Sequence, residues 1–172
     1  MDTIFTIGHS TRPIEQFLAL LTLHGVRQLC DIRTIAKSRH NPQFGEEALR
    51  PSLENAGMVY RRLAGLGGLR HTRADSPNQG WRNASFRGYA DYMQTPEFAA
   101  ALTELEGLAR DLPTAIMCAE AVPWRCHRSL VGDALVQHGW QVLDILSDKP
   151  PKPHRVTPFL RVKDGVLSYP VS

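Results

Sequence analysis

Within residues 118–128 the chain places Cys118, Glu120, Arg125, Cys126, His127 and Arg128: two thiols, a carboxylate, an imidazole and two guanidinium groups. An apolar run, TAIMC, precedes them and a helical pattern follows, so they fall where a strand ends and a helix begins. Cations are disfavoured at a helix N-terminus, by a few tenths to about 1 kcal/mol each at an exposed site. An anion docked among the guanidinium forks and free backbone N–H groups offsets that cost. A thiol beside Arg and His at a helix N-terminus is readily ionised, and a thiolate is a nucleophile. The chemistry indicated is attack by Cys118 or Cys126, with Glu120 or Asp31 as acid or base, His9 or His127 assisting, and Arg33, Arg125 and Arg128 holding the anion.

Two other readings compete with this one. In the first, the cysteines are small buried hydrophobes and the arginines pair with Glu120 or Asp31. In the second, Cys118, Cys126, His127 and a carboxylate bind zinc, but their spacing matches neither C-x₂₋₄-C nor H-E-x-x-H, and no metal site is assigned. The loop also differs from the cysteine phosphatase loop. That signature has five residues between Cys and Arg, whereas six separate Cys118 from Arg125, among them a carboxylate and a proline. No phosphatase or rhodanese chemistry is transferred.

The elements that must position these groups follow from periodicity. A β-rich run at 3–7 ends at Gly8, and Ile14, Phe17, Leu18 and Leu21 mark a helix with Ser10 or Thr11 as its cap, Pro13 in its first turn and Gly25 at its end. Residues 26–32 form a second strand, completing a β-α-β unit. The loop after Arg33 carries Lys37, Ser38, Arg39 and Asn41 as possible ligand contacts. A helix at 46–56 and a short strand at 58–63 follow. Residues 64–85, which include Gly67 and Gly68, have no period and suit a lid, a binding loop or a partly disordered segment. Helices are expected at 86–93, 95–110 and 125–138, and strands at 114–118 and 140–146. Asp164-Gly165 signals a hairpin within a Pro-rich tail, 149–172.

Strands alternating with helices indicate one α/β domain spanning 1–172. It has an open, mostly parallel sheet of about five strands, helices on both faces and a C-terminal hairpin. Ligands of such sheets bind beyond the carboxyl ends of the strands. That rule selects His9 after the first strand, with Ser10 beside it, and Asp31 and Arg33 after the second. It also selects Gly67 and Gly68 after the third, and Cys118 and Glu120 after the fourth. Asp31 and Arg33, two apart, are either an internal ion pair or site groups. Helical spacing turns Cys126 and His127 to the buried side of Leu130, Val131, Ala134 and Leu135, with Arg125 and Arg128 on a neighbouring face.

From Arg70 to Tyr92 arginines alternate with Trp81, Phe86, Tyr89 and Tyr92. This is either a nucleotide or single-strand platform or a loop docked on its own aromatics. Cys30 reads as core. A net charge of +3 among 172 residues is milder than the footprint of a dedicated DNA-binding domain and suits a small anionic ligand or nucleotide, with nucleic acid as the wider alternative. Three cysteines with no export signal predict free thiols and a cytoplasmic protein, and no run reaches the roughly 18 apolar residues of a membrane span. No cofactor motif is present. Oligomeric state is not legible.

The segments TIGHSTRPIEQF, DIRTIAKSRHNPQF, GLGGLR, FRGYADYM, CAEAVPWRCHRSLVGDAL and VLDI resemble the bacterial domain of unknown function 488 family. The resemblance falls on Gly8, His9, Ser10, Asp31, Arg33, Ser38, Arg39, Asn41, Pro42, Phe44, Gly67, Gly68, Tyr89, Cys118, Glu120, Cys126, His127 and Arg128. It implies a shared polar site and brings no reaction with it. The function expected is an enzyme, a hydrolase or transferase, acting on a phosphate-bearing substrate such as a nucleotide. A noncatalytic anion- or nucleotide-binding module is the alternative.

Overall fold

Short apolar runs bounded by turns become five parallel strands in the computed structural model, which describes residues 2–171. They are β1 (Thr3–Gly8), β2 (Gln28–Asp31), β3 (Val59–Arg62), β4 (Thr114–Cys118) and β5 (Gln141–Ile145). A two-residue strand, β6 (Lys152–Pro153), adds antiparallel to β5 and gives the order β3-β2-β4-β1-β5-β6. The sheet therefore has six strands, one more than periodicity indicates, because two residues of the Pro-rich tail pair with Leu143 and Asp144. A Lys-Pro pair suits that edge, since proline cannot donate to a further strand and lysine discourages one. The hairpin forms as expected from β7 (Arg161–Lys163) and β8 (Val166–Ser168), with Asp164 and Gly165 both at positive φ.

Helices α1 (Ile14–Leu23) and α2 (Glu46–Asn55) bury Phe17, Leu21, Leu49 and Leu53 on one face of the sheet. Helices α3 (Ala84–Tyr92), α4 (Pro96–Asp111) and α5 (Arg128–Gln137) bury Tyr89, Leu102, Leu105 and Leu130 on the other. Strand β4, TAIMC, is buried throughout, as a central parallel strand covered on both faces must be. The connection from β2 leads outward to β3 and that from β4 leads the other way to β5, so the crevice of an open sheet lies where they part.

Several boundaries differ from expectation. Helix α1 starts at Ile14 with Pro13 as its N-cap, outside the first turn, and has no side-chain cap from Ser10 or Thr11, although Gly25 follows its end at φ 76 as expected. Helix α3 begins two residues early because the Asn83 side chain caps it, accepting from Ser85 N at 2.8 Å. The expected helix 125–138 is broken. A 3-10 turn (Pro123–Arg125) comes first, Cys126 is extended, and α5 starts only at Arg128.

The long loop at 64–83 is tied down by Asp91 of α3. Its carboxylate accepts from Thr72 Oγ1 at 3.0 Å, Arg73 N at 2.8 Å, Ser76 Oγ at 2.5 Å and Asn78 Nδ2 at 2.7 Å. Asn78 in turn accepts from Tyr169 N at 2.8 Å, joining loop to tail. This favours the docked loop over the nucleotide platform for residues 70–92.

Candidate functional site

The polar residues at the carboxyl edge of the sheet form two clusters, divided by strand alternation. On the α1–α2 side, Asp31 is the hub. Arg33 donates to it through Nε at 2.9 Å and Nη2 at 2.7 Å, and the Tyr60 hydroxyl donates at 2.5 Å. Both ion-pair partners are buried, so neither charge is left uncompensated. Arg33 Nη1 also approaches His9 Nε2 at 3.4 Å.

His9 donates through Nδ1 to the carbonyl of Ser10 at 2.8 Å, which leaves Nε2 as an acceptor facing Arg33. Ser10 sits at φ 53, a conformation uncommon outside glycine, and its carbonyl fixes the tautomer of His9. The His9 ring stacks on Phe44 at 4.3 Å. Burial, which outweighs the hydrogen bond to Ser10, holds the His9 pKa below its ordinary value, so the ring is neutral at pH 7.

On the α5 side, Cys118 ends β4 and Cys126 precedes α5, where its sulfur accepts from Arg128 N at 3.5 Å. Burial alone would raise the Cys118 pKa. The neighbouring Cys126 thiol and the Arg128 charge outweigh it and bring the Cys118 thiol down to about 7. Cys126 is pushed the other way by neighbouring Cys118 and by burial, and keeps its proton. His127 donates through Nε2 to the carbonyl of Ile32 at 3.0 Å, so Nδ1 faces the Cys126 sulfur at 3.5 Å as an acceptor. Its ring lies against Tyr89, and burial keeps it neutral. The Cys126 thiol can therefore donate to His127.

Arg128 stands behind this cluster and is fully buried. Its Nη1 donates to Thr6 Oγ1 at 2.9 Å and its Nη2 to the carbonyl of Glu120 at 3.1 Å, so it braces the loop from within. It shares no face with Arg125, which is exposed on the 3-10 turn, because extended Cys126 interrupts the helix between them. The 119–121 backbone also presses on β1. A Cβ on Gly8 would fall 1.5 Å from the Glu120 carbonyl oxygen, so only glycine fits there.

The remaining candidates lie further out. The Glu120 side chain is exposed, and only its carbonyl reaches Cys118 and Arg128. Ser38 accepts from Asn41 N at 3.1 Å, while Lys37 and Arg39 are exposed. Gly67 packs on Thr34 and Gly68 on the His127 ring, and Tyr89 donates to the carbonyl of Leu66 at 2.8 Å, holding that loop in place. Among the described residues, no side-chain hydrogen bond or ion pair joins the His9–Asp31–Arg33 cluster to the thiol cluster.

Sequence reasoning missed three kinds of residue. Tyr60 belongs to the first cluster and lies two residues before Arg62, the register partner of Asp31, a spacing that only strand pairing reveals, whereas Phe44, stacked on His9, is reached through the family resemblance alone. Behind Arg128, Thr6 donates to Asp144 at 2.5 Å, and Asp144 lies 3.8 Å from His154, whose Nε2 meets Asp133 at 2.8 Å. Tyr169 completes this chain, donating to Asp133 at 2.9 Å. His154 and Tyr169 belong to the tail, to which sequence reading assigned no role.

Cys30 is core as expected, its thiol pushed up to about 12 by burial. All three cysteines are free. No described helix is long and apolar enough to cross a membrane. The family model described as a domain of unknown function, DUF488, matches residues 13–135. Among curated proteins and among solved structures, nothing matches the chain significantly.

Proposed function

The chain belongs to the DUF488 family, and from that premise we propose that it is a thiol-dependent enzyme, a hydrolase or transferase acting on a phosphate-bearing substrate such as a nucleotide. The observation that carries this reading is the setting of Cys118. At the end of a central strand, a buried sulfur lies beside the Cys126 thiol and within the field of the Arg128 guanidinium, which draw its pKa down to about 7. Cys118 is the nucleophile. Cys126, whose thiol faces His127 Nδ1 at 3.5 Å, and His127 relay the proton. Glu120, exposed on the same loop, serves as acid or base at the leaving group.

The anion falls to the exposed cations on the loops that leave the same sheet edge, Lys37, Arg39 and Arg125, because Arg33 is paired with Asp31 and Arg128 is fully buried, with Nη1 bound to Thr6 and Nη2 to the Glu120 carbonyl. Asp31 and Arg33 orient His9, and the first cluster serves as a scaffold.

The second reading, a noncatalytic anion- or nucleotide-binding module, is favoured by one observation: most polar groups of both clusters are satisfied internally. A single set of assays separates the two. Nucleotides and phosphate should slow iodoacetamide labelling of Cys118, and Cys118→Ser should abolish turnover of a responsive substrate. Protection without any turnover across nucleotides and sugar phosphates would leave the binding module, and labelling indifferent to every anion would remove both.

A further inference from the structure

A cavity of about 600 Å³ lies between the Pro123–Trp124 turn and the tail, and neither Cys118 nor Cys126 lines it. Its size is within the roughly 300–1,000 Å³ of small-molecule sites. One wall is the Pro123–Trp124 turn after β4, and the other is the tail at 152–159. Leu146, directly after β5, also lines it, so the cavity opens at the carboxyl edge of the sheet, where ligands of open parallel folds sit.

Its lining combines two chemistries. Trp81, Trp124 and Phe159 supply aromatic surface. Trp81 is held edge-on to Phe159 at 4.9 Å, and its buried indole N–H has no partner. Trp124 is 65% exposed, a large apolar side chain left open beside a concavity. Lys152 and Arg155 supply positive charge. Both are exposed, and among the described residues neither forms an ion pair. The carboxylate of the lining, Asp144, does not cancel them, because it accepts from Thr6 and faces His154.

We propose that the tail and the Pro123–Trp124 turn form a second ligand site for a planar aromatic anion of the nucleoside monophosphate class. The ring stacks on Trp124, and the phosphate is held by Lys152 and Arg155. The tail half of this site lies beyond residues 13–135, the span that the family model matches. It does not rest on the thiol chemistry.

Calorimetric titration of the full chain with AMP, GMP, CMP and UMP tests it, with adenosine and inorganic phosphate as separate arms. At least one nucleotide should bind saturably and more tightly than either part alone. Trp124→Ala should weaken that binding about tenfold, as loss of one stacked ring does. The double variant Lys152→Ala/Arg155→Ala should weaken it and flatten its salt dependence, and Cys118→Ser should leave it unchanged. Absence of saturable binding by all four nucleotides would overturn the proposal, as would affinity unmoved by Trp124→Ala or adenosine binding as tightly as AMP. Loss of binding in Cys118→Ser would assign the nucleotide to the thiol site instead.

Discussion

Cys118 and Asp31 are both buried at the sheet edge, and the chemistry of each is set by its neighbours. For Cys118 the neighbouring Cys126 thiol and the Arg128 charge draw the pKa down to about 7. The ultraviolet thiolate absorbance of the native protein should therefore include one step near pH 7. Cys126→Ala should move that step back toward the ordinary thiol range, while Cys30, held at about 12, stays silent. A wild-type protein whose first thiolate appears only above pH 8.5 would contradict this account. For Asp31 the partners are Arg33 and Tyr60. Asp31→Asn leaves the Arg33 guanidinium buried and uncompensated and should cost on the order of 3–5 kcal/mol in denaturant unfolding. Tyr60→Phe, which removes one hydrogen bond, should cost closer to about 1–2 kcal/mol.

At the scale of elements, the tail docks through a charge-balanced chain. Arg128 and protonated His154 face Asp133 and Asp144 across Thr6, and Tyr169 closes the far end. Burial alone would lower the His154 pKa, but the hydrogen bonds and charges of Asp133 and Asp144 raise it from 6.5 to about 9. A group raised on folding lends its stability in full below its unfolded pKa and loses it as pH climbs through the folded one. The contribution should therefore be complete below pH 6.5, decline between 6.5 and 9, and vanish above, amounting at most to about 3 kcal/mol. Thermal unfolding across that window should show the decline, and His154→Gln should flatten it. An equal slope in the variant would mean that another group is responsible.

At the scale of the whole molecule, the segment after β5 completes the fold. It adds the edge strand β6, a wall of the Trp124 cavity and the buried ring of Tyr169. Ending the chain at Leu146 would strip Asp133 of His154, Thr157 N and Tyr169 together, leaving a buried carboxylate without those three partners. The shortened protein should lose at least about 3–5 kcal/mol or fail to unfold cooperatively. A urea midpoint equal to that of the full chain would show that the tail is dispensable.

Much of this architecture was legible from local rules. Periodicity located the five parallel strands and most helices, Gly25 ended its helix and Asp164-Gly165 turned its hairpin, while Asp31 and Arg33, two apart, read as either an ion pair or site groups, and only their contacts show the pair. These depend on neighbours in the chain, whose geometry is set by steric preference and by the two-residue and 3.6-residue repeats. Tertiary structure decided everything that depends on which strands lie side by side. The order β3-β2-β4-β1-β5-β6 and strand alternation sent His9 and Asp31 to one face and Cys118 to the other, dividing what residue types alone grouped into one cleft. Extended backbone at Cys126 turned Arg128 inward to Thr6 and left Arg125 outside. Partners such as His154 and Asp133, 21 residues apart, meet only because the tail folds back on α5, a long-range contact that no local pattern encodes.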